Sequence, residues 1–551
     1  MRVLVVGLDG ATFDLIRPWA AMGHLPTLAH LMQEGVHGEL RSTLPPVTSP
    51  AWPSFMTGMN PGKHGVFDFI RSRAGDFDMV NASHIAAKTL WQLLSEAGRR
   101  VGVIAVPVTY PPRPVNGFMI SGILSPRRAE IAYPPGLLRR YEDELGPYRI
   151  SPSVQYTEGR EEAFVTDLLM LMEQRARYAL RLMQDYDWDF FMVHFVALDV
   201  AQHALWKFVD PTHPRYDSQA NSDLLLRLYQ KADAILAQLW EQLDSDDMLL
   251  VMSDHGFGPL HGTVNLNNFL LQRGFLHLKR DVATRLRYAL FRRGITPSSA
   301  YAFLVKLGLQ NMVTMVSKRS RNAIIGRFLS FAAVDWSRTQ AYAMGHVGQI
   351  FINLRGRQPH GCVPPEEYEA VRQRVADALR ELKHPQSDRP LVDEIIFREQ
   401  VYEGPYAEQG PDLLPIMDGF RYIAFPLFAS NAEVVTTQVR GDSGCHRLHG
   451  ILLAHGSAVR QGTKLDGARI IDLAPTILYR MGLPVPADMD GRVLTEMFEP
   501  AFVRATPVQR CPELAKGQAE AGTAYHGPEH TLLPEEQAEI EARLRGLGYL
   551  D

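Results

Sequence analysis

Short runs of apolar residues alternate with longer stretches of amphipathic periodicity through the first half of the chain. Val3–Leu8, Val101–Val106, Phe190–Leu198 and Met248–Met252 read as buried strands. Between them, Pro26–Glu34, Thr89–Ala97, Glu161–Asp185 and Ser218–Leu243 read as helices. In the last of these, Leu224, Leu225, Leu228, Ala232, Ile235, Leu236 and Leu239 recur close to the helical period. Strands alternating with helices predict an α/β fold, a mostly parallel sheet covered on both faces. The strand signal lapses from about Asp281 to Asp335, a basic and apolar stretch that reads as helical. Ala341–Leu354 then reads as strand or hairpin, Pro364–Leu382 as helix, Ile451–Ala454 as a resumed strand and Ile471–Met481 as a packing helix. The pattern predicts a discontinuous core from residues 1–270 and 440–500, an inserted unit from 270 to 440, and a tail from 501 to 551. That tail reads as a Pro-, Ala-, Gly- and Gln-rich connector closed by a short charged helix, Pro534–Leu547.

Composition narrows the picture little. Of 551 residues, 46% are hydrophobic and 21% charged, ordinary values for a chain that buries a large core. The balance of 57 basic and 61 acidic side chains carries no footprint for nucleic acid or an anionic membrane. Cys362, Cys445 and Cys511 are too few and too scattered for a disulfide framework or a cysteine zinc site. The apolar run at the N-terminus is cut off by Asp9 and reads as a strand, not a signal peptide. No stretch reaches the roughly 20 apolar residues of a membrane span. Tyr301–Val316 comes nearest and contains Lys306 and Gln310. A soluble, cytoplasmic protein is expected.

Ligands of open α/β sheets sit beyond the carboxyl ends of the strands. Three predicted strands end in carboxylates: Val3–Leu8 in Asp9, Phe190–Leu198 in Asp199, and Met248–Met252 in Ser253-Asp254-His255-Gly256. Taken singly, a strand-end aspartate is most often a helix cap. Three converging on one edge would repel, and a cation is the simplest remedy. Asp199 and His203 have the i, i+4 spacing that shares one helical face. Mixed Asp and His donors suit zinc, and also manganese or iron. In Pro45-Pro46-Val47-Thr48-Ser49-Pro50, Ser49 is placed to cap a helix with Pro50 at its first position. Thr48 then stands at a helix N-terminus, where an alkoxide or phosphoryl oxygen is favoured.

Together these residues resemble a known family. Val5-Val6-Gly7-Leu8-Asp9-Gly10, Thr48-Ser49-Pro50-Ala51-Trp52-Pro53-Ser54 and Pro61-Gly62-Lys63-His64-Gly65 are similar to the type I phosphodiesterase/nucleotide pyrophosphatase family of the alkaline phosphatase superfamily. Asp199 with His203, Ser253-Asp254-His255-Gly256, Ser443-Gly444-Cys445-His446-Arg447 and the helix from Ile471 continue the match in order. The resemblance implies an alkaline-phosphatase-like three-layer α/β/α core and an inserted lid. It implies a hydrolase of phosphoric esters with two divalent ions, zinc foremost and manganese as the alternative, acting on a small-molecule phosphate ester. One ion would be held by Asp9, Asp254, His255 and the Thr48 hydroxyl. The other would be held by Asp199, His203 and His446, with His449 as rival for the last place. Thr48 would be the nucleophile, forming a phospho-threonine intermediate. His64 and His261 are assigned to the site wall or to structure, and His455 to a strand end.

The family usually carries an Asn shortly after the His-Gly pair, whereas here Val66-Phe67-Asp68-Phe69 follows His64-Gly65. Arg71 and Arg73 lie close in sequence and could replace that contact, although solvated arginines are the commoner outcome. The same holds for Arg355 and Arg357 in the insertion. A sulfatase would need a Cys/Ser-x-Pro-x-Arg run, which Ser49-Pro50-Ala51-Trp52 lacks. A cofactor-independent phosphoglycerate mutase would use Ser as nucleophile, and a phosphoethanolamine transferase would need membrane helices. A phosphomonoesterase or phosphonate hydrolase of the same superfamily remains an alternative. So does a non-catalytic metal-binding relative, although such a protein has no chemical reason to keep Thr48.

Overall fold

Val3–Leu8, Phe190–Phe195 and Met248–Met252, in the middle of the central sheet, are buried at every residue, as strands covered on both faces must be. A computed structural model describes residues 1–73, 76–217, 223–295, 331–345, 347–425, 432–437, 442–512 and 530–547. Tyr301–Val316, most of the basic stretch before Asp335, the side chain of Arg73 and residues 513–528 of the expected connector lie outside the described residues. By compactness the chain divides in two. One unit comprises Met1–Leu260, Val401–Gly410 and Arg440–Asp551; the other comprises His261–Gln400 and Pro411–Val439. The second unit thus begins at His261 rather than near 270, and the first takes back ten residues from within it.

The first unit holds a nine-stranded sheet. Its order is Thr463–Arg469, Val36–Arg41, His449–Gly456, Met248–Met252, Val3–Leu8, Phe190–Phe195, Val101–Ile104, Gly117–Ile120 and Ala132–Tyr133. The five strands from Met248–Met252 to Gly117–Ile120 run parallel. His449–Gly456 is antiparallel to both its neighbours, and Ala132–Tyr133 closes the far edge antiparallel. Helices fall into two groups that pack among themselves. One contains Pro26–Glu34, Glu161–Asp185, Ala197–Leu205 and Leu224–Trp240; the other contains Thr48–Thr57, Leu90–Glu96 and Leu473–Arg480. Register aligns the functional edge. Leu8 pairs with Phe195 and Gly7 with Met252, so Asp9 and the Ser253–His255 turn emerge side by side.

Two local expectations shift. The third strand stops at Phe195, and Ala197–Leu205 is helix, so Asp199 stands in a helix's first turn instead of at a strand end. Asp199 and His203 still share a helical face. The helix at Thr48 starts two residues earlier than a Ser49 cap with Pro50 at the first position implied: Val47 is the flanking residue and Thr48 is the first helical residue. The tail is also more structured than a connector. Arg510–Cys511 pairs with Val485–Pro486, and Pro534–Gly546 is a helix whose buried Arg543 guanidinium donates to the carbonyls of Ile123 and Ser125.

The second unit is organised by a mostly antiparallel sheet in the order Ala341–Met344, Gln349–Ile352, Leu413–Met417, Tyr422–Phe425, Gly262–Asn265 and Val435–Thr436. Its interior contains a charged knot. The fully buried Asp412 accepts from Arg357, Arg398, the Tyr368 hydroxyl and the Ile352 amide. Arg357 is therefore neither a phosphate ligand nor a solvated charge, as its sequence position had suggested. Arg355 is exposed.

Candidate metal centre and nucleophile

Asp9 leaves the sheet at a turn that only a residue free of Cβ constraints adopts easily: Gly10 has φ +65°, and a Cβ there would press on Phe257 and Asp199. The Gly10 carbonyl accepts from Gln202, which in turn accepts from Tyr229, and the Gly10 amide donates to Asp254 Oδ1 at 3.3 Å. Ser253 donates to Ala11 O and accepts from the Ile451 amide. The strand-end turns are thus tied to one another before any ligand is considered.

Two groups of side chains meet there, Asp9, Asp199 and His255 in one and Asp199, His203 and His446 in the other. Each group's donor atoms lie within 4.8 Å of one another, and Asp199 belongs to both. Asp254 joins the first, with Oδ2 3.4 Å from His255 Nε2. His255 Nε2 lies 3.5 Å from Asp9 Oδ1, 3.8 Å from Asp199 Oδ1 and 3.3 Å from Thr48 Oγ1. His446 Nε2 lies 3.1 Å from Asp199 Oδ1 and 3.0 Å from His203 Nε2. The structure brings all seven expected residues together, each of them buried. His449 is excluded from the group: it opens a strand, exposed, opposite Arg41.

The chemistry of the donor set calls for a cation. His255 Nδ1 faces the Gly256 carbonyl at 3.1 Å and His446 Nδ1 faces the Pro46 carbonyl at 2.9 Å. A carbonyl only accepts, so each ring keeps a proton on Nδ1 and, in its neutral form, turns an Nε2 lone pair toward carboxylate oxygens. Lone pairs facing carboxylates repel unless a positive charge lies between them. Asp9 Oδ1 and Asp254 Oδ2 are buried and have no hydrogen-bond partner. Burial, then the charges of Asp254 and Asp199, push the Asp9 pKa well up; burial also raises that of Asp254. Divalent cations reverse that logic, and a metal-ligating histidine that gives its other N–H to a carbonyl is the usual arrangement. The residues fit a metal centre.

His194 escaped sequence reasoning. It lies in the buried strand Phe190–Phe195, with Nε2 2.7 Å from Asp9 Oδ2 and Nδ1 3.0 Å from the Ala105 carbonyl. It holds one Asp9 oxygen and leaves the other facing the cluster. A single polar residue inside an otherwise apolar strand was the available signal, because a buried imidazole needs partners. Phe257 was missed as well. Its ring packs edge-on against those of His203 and His446, at 4.9 and 5.4 Å between centroids.

Other expected residues take structural places. His64 accepts from the Val66 amide at Nδ1 and donates from Nε2 to Ser54 at 2.8 Å, and burial pushes its pKa down to about 3. His455 lies near the end of its strand against Trp240 and His30. His261 opens the second unit. Arg71 faces Asp78 in a crevice that His530 and Thr531 also line.

Comparison with known proteins bears on the fold and the family. Murine ectonucleotide pyrophosphatase/phosphodiesterase 5, an inactive variant in complex with AMP, superimposes with a TM-score of 0.52 at 14% identity. That match covers 91% of this chain and 100% of the other. Phosphonoacetate hydrolase from Sinorhizobium meliloti 1021, in complex with phosphonoformate, gives 0.52 at 14% identity over 86% and 94%. At such identities the likeness is one of fold. GPI ethanolamine phosphate transferase 2 of Eremothecium gossypii is 28% identical over 113 residues, 20% of this chain, which spans only 12% of that relative's length. Among the described residues no helix is long and apolar enough to cross a membrane. Residues 3–419 match the profile of type I phosphodiesterase / nucleotide pyrophosphatase. The chain belongs to that family of phosphoester hydrolases.

Proposed function

We propose that the chain hydrolyses phosphodiesters through a covalent phospho-threonine at Thr48. Two divalent cations, zinc in preference to manganese, would be held by Asp9, Asp254, His255 and Thr48 on one side and by Asp199, His203 and His446 on the other. The observation that carries this reading is the threonine hydroxyl 3.3 Å from His255 Nε2, within a buried set of carboxylates and imidazole lone pairs. When bound, such cations offset the carboxylate charge, acidify the hydroxyl and attract an anionic ester. Thr48 opens a helix, and the first-turn N–H groups of a helix have no partner within it. Their dipoles favour negative charge at Oγ1 and on the phosphoryl oxygens.

Oγ1 attacks phosphorus and loses its proton to solvent. The bond from phosphorus to the leaving alcohol breaks, and that oxygen takes a proton from water. A second water then attacks the phospho-threonine, the bond from phosphorus to Oγ1 breaks, and the hydroxyl is restored. The test compares bis-p-nitrophenyl phosphate with p-nitrophenyl phosphate on protein stripped by chelator and reloaded with Zn²⁺ or Mn²⁺. Metal-restored preference for the diester is expected. Preference for the monoester would replace the diesterase reading with a phosphatase. Metal binding without turnover of any ester would overturn hydrolysis altogether.

A further inference from the structure

Between the strand ending at Arg41 and the helix at Thr48 the chain reads Ser42-Thr43-Leu44-Pro45-Pro46-Val47, buried throughout. Two consecutive prolines carry no N–H, so the stretch is anchored mainly through its carbonyls. Three successive carbonyls have donors. The Tyr402 hydroxyl donates to Leu44 O at 2.6 Å. Thr43 Oγ1 and the Val47 amide donate to Pro45 O at 2.9 Å, and His446 Nδ1 donates to Pro46 O at 2.9 Å. The second carbonyl is served locally and the third from the metal cluster. The first depends on a residue 358 positions away in sequence.

Tyr402 lies in Val401–Gly410, which packs with the core although the chain just before and just after it belongs to the other unit. The segment is clamped to the loop after the nucleophile helix. Asn60 exchanges hydrogen bonds with the Glu403 backbone at 2.9 and 3.1 Å, and the Tyr406 amide donates to Gly62 O at 2.8 Å. Gly404 has φ +124°, and a Cβ there would stand 2.6 Å from the Lys63 side chain. The approach therefore demands glycine. The Tyr402 ring packs edge-on against Phe67 at 5.0 Å between centroids. Burial, then the charge of Asp68, raises the phenol's pKa, so it remains a donor.

We propose that Tyr402 is a positioning residue for Thr48. Its hydroxyl fixes the Leu44 carbonyl, and with it the proline segment that delivers the Thr48 hydroxyl and presents the Pro46 carbonyl to His446. The proposal rests on Thr48 being the nucleophile. It makes the inserted chain the source of a part the core's chemistry needs, so excising 261–439 as a block would remove that part as well.

The test is Tyr402→Phe in the full-length, zinc-loaded protein, which keeps the ring and deletes the donor. Turnover of bis-p-nitrophenyl phosphate should fall about 10- to 100-fold in kcat with KM within about twofold, the signature of a misplaced reacting group. Zinc content should hold, and hydrogen exchange should quicken in the peptide spanning residues 43–52 and not across the core. Gly410→Ala keeps the hydroxyl but puts a Cβ 2.8 Å from Phe67 and 2.9 Å from the Tyr402 ring, and should lower kcat in the same way. Unchanged kcat and unchanged local exchange in Tyr402→Phe would overturn the proposal. A rise in exchange across the whole core would also overturn it, leaving Tyr402 a packing residue only. If the wild type turns over no ester, the nucleophile reading fails. The exchange measurement then still decides whether Tyr402 holds the segment.

Discussion

Replacing Thr48 by alanine separates chemistry from metal binding more cleanly than any other change at the cluster. The hydroxyl's partner is His255 Nε2 at a long 3.3 Å, so its loss should cost the fold only about 0.5–1 kcal/mol. Three carboxylates and three imidazoles remain around the vacated position. Metal stoichiometry, measured by elemental mass spectrometry after gel filtration, should stay near that of the wild type. Catalysis should collapse, since removing the nucleophile of a covalent mechanism costs on the order of 10⁵-fold or more, about 7 kcal/mol. Thr48→Ser keeps the oxygen and loses one fully buried methyl, worth about 1 kcal/mol of stability. It should retain turnover within roughly 100-fold. Acid-quenched single turnovers should yield a phosphorylated peptide containing residue 48 in the wild type and the serine variant alone. Should Thr48→Ala keep more than about 1% of turnover with full metal, attack by Thr48 is wrong and water must act directly.

Three further outcomes follow from the geometry. His446→Ala should release metal and activity while His449→Ala changes neither, because only His446 faces Asp199; metal retention read by calorimetric titration checks this. Asp412→Asn should lower the urea stability of the second unit by about 3–5 kcal/mol, since it leaves Arg357 and Arg398 without their buried counter-charge; a loss below about 1 kcal/mol would sink that account. His64 has a folded pKa near 3, against an unfolded value of 6.5, so protons bind the unfolded chain more tightly between those values. Its contribution is complete above pH 6.5 and declines by up to about 1.4 kcal/mol per pH unit as pH falls toward 3. Denaturant midpoints from pH 7 to pH 4 in the wild type and in His64→Gln, which should show a flatter profile, test the sign.

Much of the site could be read from residue order because strand ends are positioned by hydrophobic runs. Val3–Leu8 and Met248–Met252 have the bounds their apolar runs suggested, and Asp9, Asp254 and His255 follow directly. The Phe190 run misled by three residues because Val196, Ala197 and Leu198 are as apolar in a buried helix as in a strand, and periodicity cannot separate the two over so short a span. Three kinds of information were invisible. His194 acts across the sheet on Asp9, a relation set by strand order. Arg357 is claimed by Asp412, a carboxylate 55 residues on. Tyr402 returns to the core from within the insertion. Each depends on a contact distant in sequence that no local pattern encodes.

Sheet order also has a consequence for how the chain is made. Among the described residues, the strand Met248–Met252 has one hydrogen-bonding edge that pairs with His449–Gly456 alone, and Val36–Arg41 is tied to the rest of the sheet through that same late strand. A ribosome adding roughly 5–20 residues per second needs about 10–40 s to pass from one to the other. During that interval the nascent sheet carries an open edge with three unneutralised carboxylates beside it, and a bare edge of this kind recruits other chains. Completion of the barrier against aggregation and of the ligand set therefore falls in the same few residues, His446 to Gly456.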